Sequence, residues 1–233
     1  MTPPRTPHTL CPGSNPMSIW FNQRRKFFFV QALTLGRVPL ILLFLAVTIY
    51  FGIETPEPWF AVAFFAMILS AVTDMFDGYF ARRFKVTSNL GSYADPLTDK
   101  IFYLTTFPTL VYLASCRDQH AHARSLIILA ILFLLRDQWV SFLRSLGALH
   151  NLSAKANWSG KARTIISFPM ICAIYYYLAA PGSWPIHLPP LLIHGFELAG
   201  MIINLISIFV YTAFYWPALR AELRVPGEKD TPP

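Results

Sequence analysis

The sequence predicts an all-α membrane fold of six transmembrane helices around a polar site that faces the cytoplasm, and three observations support that prediction. First, 55% of the 233 residues are hydrophobic and only 13% are charged, about half the charged share of a soluble domain. Second, six apolar segments follow one another, at roughly 33–53, 59–82, 94–116, 124–146, 161–181 and 189–216. Each approaches or exceeds the ~20 residues that a helix rising 1.5 Å per residue needs to cross a bilayer. Third, the basic residues sort by side, as set out below.

The elements run in order. Residues 1–16 hold Pro3, Pro4, Pro7, Pro12 and Pro16 with few apolar residues, which reads as a disordered leader without the apolar stretch of a signal peptide. Residues 17–30 flank the basic triplet Arg24-Arg25-Lys26 with aromatics, a pattern suited to an amphipathic helix in the headgroup region. The six-helix domain spans 31–224, and 225–233 forms a flexible tail. Pro56 and Pro58 punctuate the first outer loop, and Pro181, Gly182 and Pro185 punctuate a later one.

With the leader's side taken as inner, fifteen of the nineteen Lys and Arg residues lie in inner segments. The outer loops carry only Arg117 and Arg124, and Arg37 and Arg136 lie within helices. This bias places both termini in the cytoplasm, and the chain is expected in the plasma (inner) membrane as a multi-pass protein. The same bias accounts for the net charge of +7 without a nucleic-acid partner. Cys11, Cys116 and Cys172 are widely spaced and form neither a disulfide framework nor a zinc motif. His120 and His122, in a short loop without acidic partners in sequence, read as surface residues.

The charged helix ends gather on the inner side. Asp74, Asp77, Gly78, Ala81 and Arg82 fall at i, i+3, i+4, i+7 and i+8 on the second helix, and Gly91, Asp95 and Asp99 at i, i+4 and i+8 on the third. Each set shares one helical face, and the short connection makes the two helices antiparallel neighbours. Four converging carboxylates in a low dielectric require cations. Oxygen ligands without Cys or His favour Mg²⁺ or Mn²⁺, and two such ions form a clamp for phosphoryl displacement. Gly78 and Ala81 let a ligand approach the backbone, and Arg82 offers a fork for phosphate. A transporter for divalent ions also carries intramembrane acids, but these acids cluster at one face with no charged continuation outward.

The pattern Asp74-x-x-Asp77-Gly78-x-x-Ala81-Arg82-x8-Gly91-x3-Asp95-x3-Asp99 resembles in full the signature of the CDP-alcohol phosphatidyltransferases. The resemblance extends from about Leu33 to Arg224. It implies a six-helix homodimer with a cytoplasm-facing site. It further implies two divalent ions on Asp74, Asp77, Asp95 and Asp99, and CDP contacts from Gly78, Ala81, Arg82 and Gly91. Leu33-Thr34-Leu35-Gly36-Arg37, Asp95-Pro96-Leu97-Thr98-Asp99-Lys100, Gly160-Lys161-Ala162-Arg163-Thr164 and Arg220-Ala221-Glu222-Leu223 are similar to the branch that makes phosphatidylglycerol phosphate. That likeness adds Gln31, Thr34 and Arg37 to the CDP-binding set. Gln31 stands where Asn is common, Val30 where Pro is common, and Asp137 where Glu is usual.

The implied reaction carries the phosphatidyl group from CDP-diacylglycerol to sn-glycerol 3-phosphate and releases CMP, with Asp99 as general base. Arg136, Arg144, Lys161 and Arg163, at the inner ends of the fourth and fifth helices, are expected to bind the phosphate of the acceptor. Inositol phosphate would suit the same cations, and phosphatidylglycerol would need fewer cations and more apolar area. The positive-inside bias alone would also place these four residues where they are.

Overall fold

The computed structural model describes residues 16–84, 89–150, 152 and 158–223. The leader up to residue 15, the segments around 85–88 and 153–157, and the tail from 224 lie outside the described residues. All regular structure among the described residues is helical. The order is α1 (Pro16–Phe51), a 3₁₀ turn (Gly52–Glu54), α2 (Glu57–Phe84), α3 (Asn89–Cys116), α4 (His120–Leu149), α5 (Trp158–Ala179) and α6 (Pro190–Glu222).

These bounds cover most of each apolar segment and extend several of them, while α1, α5 and α6 leave out residues 52–53, 180–181 and 189 of theirs. α1 is one continuous helix of 36 residues, joining the segment expected at the interface to the first apolar stretch. α2, α4 and α6 run on beyond their apolar segments to Phe84, Leu149 and Glu222, since intrahelical hydrogen bonding continues past the apolar windows that mark a span. Three stretches, Gln31–Glu54, His120–Leu149 and Pro190–Glu222, are each long and apolar enough to cross a membrane, which makes the chain a membrane protein.

Local chemistry sets the ends. α1 stops where Gly52 takes φ +59, a left-handed geometry that glycine adopts without steric cost. Pro190 opens α6 at its first helical position, where a missing N–H costs nothing. Pro39, Pro169 and Pro217 lie inside helices, as membrane helices tolerate.

The core lies between the helices. Phe44, Phe60, Phe107, Leu110, Leu126, Phe133, Ile174 and Tyr175 are buried in one cluster. Phe60 meets Trp184 edge-on at 4.8 Å and stacks on Tyr175 at 5.6 Å. Leu42, Phe65, Leu104, Ile131, Leu198 and Phe209 are exposed on the outside, an apolar exterior that suits lipid and not water.

α4 and α6 run parallel. His122 meets Glu197, Arg136 meets Ser207 and His150 meets Glu222, so partners advance together along both helices. At the Leu149 end the helices touch closely. A Cβ on Gly147 would sit 2.2 Å from Cε1 of Tyr215, inside a second buried cluster of Val140, Leu143, Tyr211 and Tyr215. Gly147→Ala should therefore cost about 1–3 kcal/mol by overpacking, read as a lower melting temperature in detergent. An unchanged melting temperature would contradict this packing.

Candidate active site

The backbone of Asp74, Asp77, Gly78, Ala81 and Arg82 lies in the last turns of α2, and that of Gly91, Asp95 and Asp99 in the first turns of α3. Helical register thus holds for both carboxylate faces. The side chains of Asp74, Asp77, Gly78, Ala81, Arg82, Gly91, Asp95 and Lys161 lie outside the described residues. Asp99 is described. It is the partner of a residue from α1.

Gln31, Thr34 and Arg37 follow at three-residue steps on α1, and all three are buried. Arg37 reaches across to α3. Its Nη1 donates to Asp99 Oδ1 at 3.1 Å, and its Nη2 donates to the hydroxyl of Thr98. Arg37 is 3% exposed and Asp99 54%, so a buried guanidinium fixes an accessible carboxylate. That geometry assigns Arg37 a contact that the sequence did not indicate. It orients the candidate base whether or not it also touches a nucleotide.

The cationic half is organised by Asp137. Arg136 Nη1 donates to Asp137 Oδ1 at 3.1 Å. Arg163, from α5, donates to both oxygens, through Nη1 to Oδ1 at 2.9 Å and through Nη2 to Oδ2 at 3.1 Å. Such a bidentate pair has a fixed geometry. The Arg163 guanidinium also lies over the rings of Phe133 and Tyr103, at 4.7 and 5.1 Å. Arg136 Nε donates to Ser207 on α6 at 2.8 Å. Arg144 Nη2 donates to the Tyr211 hydroxyl at 3.0 Å, and both Arg136 and Arg144 approach the Tyr211 ring.

One carboxylate therefore offsets two of the three described arginines. Among the described residues, Arg136 Nη2 and Arg163 Nε are buried with no hydrogen-bond partner. Buried donors without acceptors cost free energy, and an incoming anion would recover it. Tyr103 sits one helical turn after Asp99 on α3, so it joins the Arg37–Asp99 pair to the arginine group. Asp137, Ser207, Tyr211, Tyr103 and Thr98 were missed as site residues. Only the acid at 137, in place of the usual Glu, gave a signal for any of them.

The expectation of surface histidines holds for His120 and fails for His122. His122 is 5% exposed, and its Nε2 lies 2.5 Å from Glu197 Oε1. The acidic partner is 75 residues away in sequence, so no local pattern announced it. Cys116 and Cys172 are free thiols.

The sequence matches the model of the CDP-alcohol phosphatidyltransferase family over residues 28–213. The chain belongs to that family. As a CDP-alcohol phosphatidyltransferase it is an enzyme, a transferase of phosphate-containing groups in phospholipid biosynthesis. It is similar to a CDP-diacylglycerol–glycerol-3-phosphate 3-phosphatidyltransferase of Haemophilus influenzae, with 32% identity over 141 residues, 60% of this chain and 70% of the relative. A protein of the same name from Escherichia coli K12 is 30% identical over 161 residues, 68% of this chain and 81% of the relative. CDP-alcohol phosphatidyltransferases use divalent metal ions. By sequence, Asp74, Asp77, Asp95 and Asp99 offer the hard oxygen donors that such ions take.

Proposed function

We propose that this transferase carries the phosphatidyl group from CDP-diacylglycerol to sn-glycerol 3-phosphate, giving phosphatidylglycerol phosphate and CMP. The observation that carries the reading is the pairing of an accessible carboxylate, Asp99 on Arg37, with a nearby arginine group whose inner donors lack partners among the described residues. The names of the relatives from Haemophilus influenzae and Escherichia coli support the same acceptor.

In this mechanism the acceptor's primary hydroxyl attacks the β-phosphorus, the one that carries the diacylglycerol. Its proton passes to Asp99. The bond from that phosphorus to the bridging oxygen breaks, and CMP leaves with the electron pair. Asp74, Asp77, Asp95 and Asp99 would hold two divalent ions, Mg²⁺ or Mn²⁺, which supply charge stabilisation at the phosphoryl oxygens. Arg82 holds the donor's diphosphate, while Gly78, Ala81 and Gly91 let the cytidine approach the helices, and Gln31 and Thr34 line the donor side. Arg136, Arg144, Lys161 and Arg163 bind the acceptor's phosphate. Positioning and preset electrostatics do most of the work. All six helices span the membrane, the termini and the site face the cytoplasm, and the enzyme works as a homodimer in the plasma membrane.

The acceptor assignment has a direct test. Lys161→Gln and Arg163→Gln should each raise the KM for glycerol 3-phosphate roughly ten- to a hundredfold, the worth of a hydrogen bond to a charged group. The KM for CDP-diacylglycerol should change far less, because the donor's diphosphate is held elsewhere. Steady-state kinetics on equal amounts of purified variants measures both. An unchanged acceptor KM in both would remove the phosphate pocket and leave these cations the role of orienting the chain in the membrane.

A further inference from the structure

We propose that His122, His194 and Glu197 form a transition-metal site, suited to Zn²⁺, at the end of the α4–α6 pair opposite the carboxylate and arginine ends. The site is separate from the hard-oxygen set that serves transfer.

The geometry rests on three side chains from the first turns of two helices. His122 lies near the start of α4, and His194 and Glu197 lie one turn apart near the start of α6. Their ligand atoms all fall within 4.8 Å of one another. His122 Nε2 is 2.5 Å from Glu197 Oε1, and His194 Nδ1 is 3.2 Å from Glu197 Oε2. The two imidazoles stand nearly perpendicular, 5.0 Å apart at 81°. Atoms around a tetrahedral ion with bonds of about 2.0 Å lie roughly 3.3 Å apart, so small side-chain rotations close this set on one ion.

Hydrogen bonding points the same way. His122 Nδ1 lies 3.1 Å from Gln119 Oε1, and in the tautomer that donates to this oxygen Nε2 presents its lone pair. In that tautomer the lone pair faces a carboxylate oxygen, and a cation between the two satisfies both. A proton would serve these two atoms alone. A metal ion also gathers the third donor, His194 Nδ1, and is held as metal-bound histidines usually are, with the far ring nitrogen donating to an oxygen. Ser125 Oγ donates to Glu197 Oε2 at 3.0 Å, which fixes the carboxylate in turn. Glu197 is 2% exposed, and burial of an anion there calls for a matching cation. The His194 side chain is 52% exposed, leaving one side open for water and for exchange of the ion. Two imidazoles and one carboxylate suit Zn²⁺ better than Mg²⁺.

The test uses full-length protein purified in detergent without a polyhistidine tag. After equilibration with Zn²⁺ in excess Mg²⁺, which occupies the carboxylate set, and removal of unbound metal, zinc is measured per chain by mass spectrometry. About one ion per chain is expected. His194→Ala should lose the ion and keep its metal-free melting temperature, because that side chain is half exposed. His122→Ala, which strands Glu197, should lose both the ion and stability. Asp95→Asn should keep the zinc, which separates this site from the transfer centre. Absence of zinc in the unaltered protein, or full zinc in His194→Ala, would overturn the proposal and leave a buried His122–Glu197 ion pair.

Discussion

Asp99→Asn is expected to lower kcat by about 10²–10⁴-fold, the usual contribution of a positioned general base, and further if a metal ligand is lost with it. The substitution keeps the size of the side chain and its hydrogen bond to Arg37, so the contact between α1 and α3 survives. It removes the ability to take the acceptor's proton. Because the Asp99 side chain is 54% exposed, the variant should fold and melt normally. Turnover close to that of the unaltered enzyme would sink Asp99 as the base. Loss of turnover together with loss of fold would instead assign Asp99 a structural part. Helical content and melting temperature, measured beside CMP release, distinguish these results.

The second large effect is expected at Asp137. Its carboxylate pairs with Arg136 and Arg163, whose side chains are 7% and 9% exposed. Asp137→Ala leaves two guanidiniums close together in an apolar setting. Stranding a buried charge in this way costs about 3–5 kcal/mol. A strongly lowered melting temperature in detergent should follow. Replacing Arg163 by Met in the same chain should recover part of the loss, since one of the two stranded charges is then gone. The double variant should nonetheless bind the acceptor poorly, because a donor proposed to hold its phosphate has been removed. If Asp137→Ala melts like the unaltered protein, the arginines are solvated and the buried group described here does not hold.

These two residues illustrate how legibility varied along the chain. Asp99 was visible because the acids at 74, 77, 95 and 99 repeat at helical spacing on two consecutive helices, and local periodicity survives folding intact. The helices themselves were visible for the same reason, since lipid demands apolar runs of a length fixed by the bilayer. Asp137 was not visible as a centre. Beside Arg136 it resembles an ordinary neighbouring pair, and its bidentate partner Arg163 comes from another helix 26 residues on. Arg37 finds Asp99 across 62 residues. His122 and Glu197 meet only because α4 and α6 run parallel, an arrangement with no local signature. What the sequence left unread is tertiary pairing of single polar residues, which depends on how helices are placed and not on how they are patterned.

The proposed transfer from CDP-diacylglycerol to glycerol 3-phosphate stands or falls on one experiment. Purified enzyme is assayed with CDP-diacylglycerol and Mg²⁺ or Mn²⁺ against glycerol 3-phosphate, inositol phosphate, phosphatidylglycerol and uncharged alcohols. Both CMP and the lipid product are followed. Stoichiometric CMP and phosphatidylglycerol phosphate are expected with glycerol 3-phosphate, abolished by EDTA and restored by added metal. CMP release that ignores chelation, or that responds to another alcohol and not to glycerol 3-phosphate, would contradict it.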